Sequence, residues 1–364
     1  HADWSQTNSL STEEKIELIY TYITENIRYS SVNFRQSGLI PQKARRVLDT
    51  KIGDCKDTAS LFIAMLREIG VKAYHVLVNT RDQGKREAVL PSIDFNHCIA
   101  AYEINGRLQY ADLTAANYAY NVLPPSDIHA FALLIKEGVT EPFYLQQNPN
   151  VQNISSRESI IKVNKDNSVS IKRKSNRTGI LAASFRYSYR NLGEKERHKN
   201  LLEVLTKDYN SVSLDKFTLN GLNHINADMS YDYDFVINNY VKDAGTFKMV
   251  QIPWTDDLKS YNAISYEARD FPINFWGNTD KEYEKLTIHL PKGFKPVELK
   301  EKVHLKSKFG EFKVHYSFKK GVLEATRELI FNTKHIKPEE YKSFKTFYNQ
   351  IVHEDTKQLL LKKH

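Results

Sequence analysis

The sequence predicts an α+β fold in two parts. Residues 1–145 form helices packed on an antiparallel sheet, and residues 146–364 form a β-rich domain with a C-terminal helix. In the first part, apolar residues at helical spacing alternate with strand-like segments. From about Val151, short segments alternate apolar with polar residues and break at Asn, Asp and Gly, which is typical of strands. The polar stretch around Pro142 predicts the boundary between them.

The elements of the first part have clear local signals. Ser11 followed by Glu14 predicts a helix start, because apolar residues then recur at helical spacing. The dipeptide Asn105-Gly106 is the strongest short-range hairpin signal. The expected elements before the boundary are a helix from residue 12, a short helix or turn over 41–51, a helix from 55 to 69, a strand over 71–80 and a hairpin over 95–115.

Two helices are expected to interrupt the strand pattern of the second part. Residues 195–209 have helical apolar spacing, and so do residues 337–361, which are expected to close the chain as a helix. The remaining segments predict strands. The sequence therefore predicts a β-rich accessory domain that ends in a helix.

Composition excludes several classes of function. With 41% apolar and 26% charged residues, the chain is typical of a globular protein. The net charge of +8 is spread along the chain without a basic stripe and stacking aromatics, so no nucleic-acid partner is predicted. No apolar run approaches a membrane span. Zinc-ligand and calcium-loop spacings are missing, so no metal or cofactor is predicted. No signal peptide precedes residue 1, and we expect a fragment.

Cys55, one of only two cysteines, falls where a helix begins. Asp54 stands at the N-cap position, Asp57 follows three residues later as in a capping box, and Gly70 ends the helix. Unpaired N–H groups and the helix dipole favour a thiolate at such a position. The alternative interpretation is that Cys55 serves only as a small buried apolar residue at the helix start, because free cysteine is commonly buried. Lys56 is expected to be solvated.

The predicted hairpin supplies a base and an acid. If Asn105 and Gly106 form a two-residue turn, counting outward pairs Ile99 with Asp112 and His97 with Thr114. Those four side chains then share one face, and Cys98 points to the other. His97 and Asp112 become diagonal neighbours, within side-chain reach. Cys98 is therefore expected to pack in the core, and His97 and Asp112 to act together.

These motifs resemble the core of the transglutaminase-like superfamily, which has a papain-like fold. The motif Gly53-Asp54-Cys55-Lys56-Asp57, the His97 strand and the Asp112 strand match that family's three catalytic positions. The resemblance covers roughly residues 10–135. It departs from the family pattern at Asn96, where an aspartate is more common. The resemblance implies that Cys55, His97 and Asp112 are catalytic.

A thiol, a base and an orienting acid are what cysteine-dependent acyl transfer requires. The expected substrate is a peptide or protein amide, and hydrolysis by a protease or amidase is favoured over transglutaminase-type transfer to an amine. A non-enzymatic binding or assembly protein on a retained scaffold is the other alternative. The N–H of Cys55 is one expected oxyanion donor. Candidates for a second donor, which the sequence does not rank, are Tyr29, Asn33 and Gln36.

The second part resembles, more weakly, the β-rich region that follows this core in large bacterial proteins, many of them from Bacteroidetes. The segments "EARDFPINF" and "LPKGF" and the closing helix carry this resemblance. Such proteins usually have another β-rich domain before the core. By this resemblance, the expected location is periplasmic or secreted.

Overall fold

The computed structural model describes residues 9–30, 40–84, 95–255, 258, 264–275 and 278–363. They fall into two compact units. The first comprises the described residues of His1–Gln152 with Ala182–Ser184 and His224–Ala227, and the second comprises the rest. The proposed domain boundary between residues 145 and 146 stays a prediction.

Two helices of the first unit, those that begin at Thr12 and at Cys55, start at caps that the sequence encodes. Ser11 Oγ accepts a hydrogen bond from the N–H of Glu14, and the Glu14 carboxylate accepts one from the N–H of Ser11 at 2.7 Å. This capping box satisfies two N–H groups that the helix itself leaves unpaired, so the predicted helix start is confirmed. The described helices of this unit are α1 (Thr12–Asn26), α2 (Ala44–Thr50) and α3 (Cys55–Glu68).

The sheet of the first unit contains the predicted hairpin. Ile104 pairs with Arg107, and both turn residues have positive φ, 50° at Asn105 and 73° at Gly106. The hairpin and the strand before it are therefore confirmed. A short parallel pair joins β1 (Arg28–Tyr29) to β2 (Ile52–Gly53). The main sheet has the order β5-β4-β3-β6-β7, with β3 (Ala73–Asn79), β4 (His97–Ile104), β5 (Arg107–Ala111), β6 (Phe131–Ile135) and β7 (Phe143–Tyr144).

The core of the first unit packs α1 and α3 against this sheet. Phe62 of α3 lies between two buried tyrosines, with ring centroids 6.3 Å from Tyr20 of α1 and 6.1 Å from Tyr102 of β4. Both contacts are edge-to-face, the geometry that aromatic quadrupoles favour. Cys55 and Cys98 belong to the same apolar cluster. The core thus fixes the N-terminus of α3 against the start of β4.

The second unit is rich in β-structure, as predicted. Its largest sheet has eight strands in the order β10-β11-β9-β8-β15-β19-β18-β17, antiparallel except for the parallel pair of β8 and β15. The strands are β8 (Ile154–Val163), β9 (Val169–Arg177), β10 (Val212–Asn220), β11 (Met229–Ile237), β12 (Lys242–Ala244), β13 (Phe247–Gln251), β14 (Ile273–Asn274), β15 (Lys281–His289), β16 (Phe294–Pro296), β17 (Lys302–Ser307), β18 (Gly310–Lys319), β19 (Val322–Phe331), β20 (His335–Ile336) and β21 (Gln358–Lys363).

Three described helices accompany these strands: α4 (Gly179–Tyr189), α5 (Glu194–Asp208) and α6 (Tyr341–Asp355). Helix α5 and the late helix α6 were predicted, whereas α4 was not. The prediction also extended the last helix to Leu361. Helix α6 instead ends at Asp355, and Leu361 lies in β21, paired with Lys248 of β13.

Candidate active site

The site begins with the cap of α3. Oδ1 of Asp54 accepts a hydrogen bond from the N–H of Asp57 at 3.1 Å, and Oδ2 of Asp57 accepts one from the N–H of Asp54 at 3.2 Å. The predicted cap is confirmed, and Cys55 is the first residue of the helix. Gln42 donates from its backbone and its side chain to Asp57, each at 2.8 Å. These bonds lower the pKa of Asp57, although burial alone would raise it.

Gly53 explains why the motif needs a residue without a side chain before the cap. A Cβ built at Gly53 would lie 2.9 Å from Cβ of Asp57 and 3.2 Å from Cγ1 of Val47. Such separations are too short for two carbon atoms in contact, which prefer about 3.5–4.0 Å. Gly53 therefore allows β2 to approach the first turn of α3 closely.

Lys56 corrects one expectation. This lysine was expected to be solvated, but only 4% of its surface is exposed. Its ammonium group pairs with the carboxylate of Asp54, which is also buried. A lysine is seldom buried without a counter-charge, and here that charge comes from the N-cap residue two positions earlier.

His97 and Asp112 form an ion pair. Nε2 of His97 lies 3.2 Å from Oδ2 of Asp112, and their side chains are 13% and 5% exposed. Burial lowers the pKa of His97, but the charge and hydrogen bond of Asp112 raise it more, with a further contribution from a hydrogen bond to Cys55. The net pKa of His97 is well above its ordinary value. Burial raises the pKa of Asp112, but His97 and Thr114 lower it below its ordinary value.

The register of the hairpin departs from the prediction at its open end. The ladder follows the predicted count as far as Ala100 paired with Ala111. The two further pairs predicted, of Ile99 with Asp112 and of His97 with Thr114, are not part of it. Instead, Oδ1 of Asp112 accepts hydrogen bonds from the N–H of Thr114 at 2.9 Å and from its hydroxyl at 2.8 Å. This local turn ends the strand and fixes the carboxylate.

Cys55 completes the group. Its side chain hydrogen-bonds with the His97 ring, and 5% of Cys55 is exposed. Because Nε2 of His97 faces Asp112, Nδ1 is the ring nitrogen left to exchange a proton with the thiol. The backbone of Asp112 is supported by Tyr20, whose hydroxyl donates to the backbone carbonyls of Asp112 at 3.1 Å and of Ala115 at 3.3 Å. The structure thus brings together all three residues that the sequence singled out.

Comparison with known proteins indicates the family that the first unit resembles. Residues 3–131 match the family model of the transglutaminase-like superfamily. The chain contains a transglutaminase-like core. Residues 247–361 match a second family model, that of a domain of unknown function with a solved structure (DUF3858). No curated protein matches the chain.

One solved structure resembles nearly the whole chain. It is that of a protein from Parabacteroides distasonis named a putative protease, with a TM-score of 0.57 and 13% sequence identity. The match covers 99% of this chain and 54% of the other, so this chain spans about half the length of that protein. At this identity the similarity supports the fold: a transglutaminase-like core followed by a β-rich region.

Cys98 does not contact the site in the way that Cys55 does. It is 2% exposed, and it shares an apolar cluster with alternate residues of its strand, Ala100 and Tyr102. Burial raises the pKa of the Cys98 thiol, and the nearby charges of Cys55 and Asp54 raise it further. Its predicted packing in the core is confirmed. Both cysteines are buried, and the raised pKa of Cys98 disfavours its thiolate.

Asn96 departs from the expected residue for a structural reason. Its Oδ1 accepts a hydrogen bond from the N–H of Thr80 at 2.9 Å, and its Nδ2 donates to the Thr80 hydroxyl at 2.8 Å. A carboxylate accepts hydrogen bonds but does not donate them, so an aspartate could not donate to Thr80 as this amide does. Asn96 therefore ties the end of β3 to the residue before His97.

None of the three candidates is assigned as the second oxyanion donor. Of the three candidates, Asn33 and Gln36 lie outside the described residues. Tyr29 lies in β1 and is 46% exposed, while its backbone pairs with Gly53. The N–H of Cys55, at the first position of α3, has no partner within the helix. The N–H of Cys55 is therefore still an expected oxyanion donor.

Asp127 is a site residue that sequence reasoning missed. It is 1% exposed, and a ligand atom of its carboxylate lies within 4.8 Å of those offered by His97 and Asp112. Three such groups could also hold a metal ion, although His97 and Asp112 already pair with each other. Asp127 belongs to an irregular loop, so no periodicity could have pointed to it.

Finally, the described helices include none with both the length and the apolar character needed to cross a membrane.

Proposed function

We propose that the protein is a cysteine-dependent acyl-transfer enzyme acting on peptide or protein amides, with Cys55 as nucleophile, His97 as base and Asp112 as orienting acid. Hydrolysis, as in a protease or amidase, is the proposed direction. The observation that carries this proposal is the continuous contact from the Cys55 thiol through the His97 ring to the Asp112 carboxylate. Contacts of this kind are what nucleophilic catalysis needs, because a base activates the nucleophile and a third group orients the base.

The proposed reaction begins with transfer of the Cys55 proton to Nδ1 of His97, whose charge Asp112 stabilises. The thiolate attacks the amide carbonyl and forms a C–S bond, while the N–H of Cys55 donates to the developing oxyanion. The C–N bond then breaks, and His97 returns its proton to the leaving amine. Water attacks the thioester, His97 accepts a proton from it, and the C–S bond breaks to release the acid and regenerate Cys55.

Transfer to an amine is the alternative fate of the same thioester. It differs only in the group that attacks the thioester, so the same three side chains would serve. Hydrolysis is proposed because water is abundant, and because transfer needs a site shaped to admit an amine and exclude water. A retained scaffold that binds a partner without chemistry is the remaining alternative.

Mass spectrometry of a mixed peptide library can separate these fates. The protein is incubated with the library in the presence and absence of a primary amine such as cadaverine. Hydrolysis at peptide bonds gives new termini, amidase action converts glutamine to glutamate, and transfer adds the amine to the acyl product. We expect cleaved or deamidated products whether or not the amine is present.

Cys55→Ala and Cys98→Ala provide the matched controls. We expect the first to abolish all products and the second to retain them, since Cys98 is buried in the core. Identical products from the wild type and Cys55→Ala would contradict the proposal and favour the scaffold alternative. Products that appear only with the amine would replace hydrolysis by transfer.

The family resemblance also supports a periplasmic or secreted location. Fractionation of the producing cells, followed by immunoblotting of the full-length protein, tests it. Recovery in the cytoplasmic fraction alone would contradict it.

A further inference from the structure

Asp127 has an incompletely satisfied carboxyl group inside the first unit. Its Oδ1 accepts a hydrogen bond from the Ser126 hydroxyl at 3.1 Å. No described residue supplies a hydrogen-bond partner for its Oδ2, although this atom is buried. A buried carboxylate oxygen without a donor is costly, because it has lost its water without replacement. A proton on this carboxyl group, or a ligand bound to it, would remove this cost.

The surroundings of Asp127 carry one positive and one negative charge. Asp112 and His97 present ligand atoms within 4.8 Å. Both oxygens of Asp112 are already acceptors, Oδ1 from Thr114 and Oδ2 from His97. Burial raises the pKa of Tyr118, from the loop after Asp112, and the charges of the two carboxyl groups raise it further. The His97 ring is thus shared electrostatically between two acids, of which only Asp112 lies in the ion pair.

The position of Asp127 is set by its own loop. Its N–H donates to the carbonyl of Pro124 at 3.0 Å, and its carbonyl accepts from Ala130 at 2.9 Å. Arg81 holds the same loop, through its N–H to the Ser126 carbonyl at 2.9 Å and through its guanidinium to the Pro125 carbonyl at 3.1 Å. These backbone contacts fix the position of the loop, and the carboxyl group itself adds one hydrogen bond, from Ser126.

We infer that Asp127 is a positioning residue that holds a proton in the resting site and donates it as a hydrogen bond from Oδ2 to the Asp112 carboxylate. The shared proton satisfies the unpartnered oxygen and removes repulsion between two acids. It leaves Asp112 as the single negative partner of His97. This inference rests on the proposed function, because it assigns Asp127 a role in orienting the acid of that site.

The electrostatics agree with this geometry. Burial raises the pKa of Asp127, and the Asp112 charge raises it further, whereas His97 lowers it, giving a value of about 7. Two neighbouring carboxyl groups commonly divide in this way, one ionised and one protonated. Near neutral pH, Asp127 is then half protonated, and ionisation above pH 7 places a second negative charge beside Asp112.

Infrared spectroscopy of the full-length protein tests the proton directly. We expect the wild type at pH 6 to show a carbonyl band of a protonated carboxylic acid that Asp127→Asn lacks, and we expect this difference to shrink as the pH rises through about 7. Ser126→Ala, the matched control, removes a neighbouring hydrogen bond and keeps the band. Identical spectra of wild type and Asp127→Asn at pH 6 would overturn the inference.

Alkylation of Cys55 by iodoacetamide then reports the positioning. Asp127→Asn keeps a neutral donor, and we expect a rate at pH 6 close to that of the wild type. Asp127→Leu has no donor, and we expect about a tenfold loss, equivalent to one pKa unit of interaction. Equal rates for the wild type and Asp127→Leu would contradict the inference, and so would an equal loss in Asp127→Asn. Circular dichroism checks folding, and the infrared result decides if Asp127→Leu fails to fold.

Two further outcomes separate this inference from its alternatives. EDTA is added to the wild type while the infrared band is followed across pH. If EDTA removes the pH dependence of that band, a bound cation rather than a proton joins the carboxyl groups, and the inference is wrong. If the band is missing but alkylation of Cys55 still depends on His97, the inference fails and the proposed function stands. If Cys55 reacts like a free thiol in every variant, the proposed function fails, whatever the infrared band shows.

Discussion

Nε2 of His97 lies 3.2 Å from Oδ2 of Asp112, and the two residues come from adjoining ends of one hairpin. The carboxylate raises the pKa of His97, although burial of the ring opposes it. The pair therefore keeps the ring charged to a higher pH than a solvated imidazole. A charged ring can stabilise a neighbouring thiolate, as the proposed mechanism requires. The raised pKa of His97 can therefore be used to test the pair.

Asp112→Asn should reduce turnover of a peptide substrate. Without the carboxylate, the pKa of His97 falls and the ring loses its orienting partner. We expect a loss on the order of 10²–10⁴-fold in kcat, the usual contribution of a positioned base. Asp49→Asn is the matched control, because Asp49 is exposed and pairs only with Arg45 among the described residues. Equal losses in both variants would point to a general charge effect.

The pH dependence of stability should identify the pair as well. The pKa of His97 is raised above 6.5, so its contribution is fully present below pH 6.5 and is lost as pH rises through its folded-state pKa. The pKa of Asp112 is lowered from 3.8, so its contribution is present above pH 3.8 and is lost as pH falls. Urea unfolding should show the largest advantage of wild type over His97→Asn between those values.

This comparison is best made in an Asp127→Asn background, because Asp127 itself titrates near neutral pH. Its raised pKa has the opposite consequence for an acid: the wild type loses stability relative to Asp127→Asn as pH rises from 3.8 to about 7. An advantage of wild type over His97→Asn that grows steadily toward high pH would contradict the assigned ion pair.

The two cysteines should differ in their reaction with iodoacetamide. Cys55 contacts His97, whereas Cys98 is 2% exposed and its pKa is raised by burial. Peptide mass spectrometry of the folded protein should find the label on Cys55 alone, and unfolding in urea should make both cysteines reactive. Cys55→Ala should abolish labelling of the folded protein. Label on Cys98 before unfolding would show that the assignment of the nucleophile is wrong.

Gly53→Ala should disturb the cap of α3. Its Cβ would come within 2.9 Å of Asp57 and force apart the first turn and β2. Overpacking of this kind costs roughly 1–3 kcal/mol in the free energy of unfolding, and Cys55 labelling should slow. Gly193→Ala is a suitable control, because the nearest atom to its Cβ would be a flexible side-chain oxygen at 3.5 Å. Unfolding in urea and labelling kinetics measure both effects.

Tyr20→Phe and Tyr102→Phe form a matched pair of variants. Both rings pack edge-on against Phe62, but only the Tyr20 hydroxyl donates to the Asp112 carbonyl. The Tyr102 hydroxyl donates to Gln109 at 3.4 Å. We expect Tyr20→Phe to cost about 0.5–1.5 kcal/mol per lost bond and to slow Cys55 labelling. Similar labelling in both variants would show that the Tyr20 contact is structural alone.

Local signals explain how far the sequence could predict this site. Asp54, Cys55 and Asp57 obey cap chemistry within four residues, and the Asn-Gly turn set the register of the hairpin. Two pairs at the open end were wrong, because Asp112 bonds to Thr114 rather than continuing the ladder. A side chain that competes with the backbone for hydrogen bonds is easily missed by counting.

Other features depend on contacts that no local pattern encodes. Asp127 reaches the site because its loop is fixed by Arg81, which is far from it in sequence. Lys56 was expected in solvent because lysine usually is, but its counter-charge comes from the capping residue. Helix α4 was missed because its aromatic residues, including Phe185 and Tyr189, have the composition of a strand.

The division of the site between one hairpin and one separate helix has a consequence for biosynthesis. His97 and Asp112 are 15 positions apart and can meet once the hairpin closes, whereas Cys55 joins them only after α3 has docked on the sheet. Contacts close in sequence form with less loss of chain entropy than distant ones. If Cys55 is the nucleophile that we propose, a newly made chain would lack the assembled site until its first unit is folded, and premature attack on neighbouring polypeptides would be suppressed.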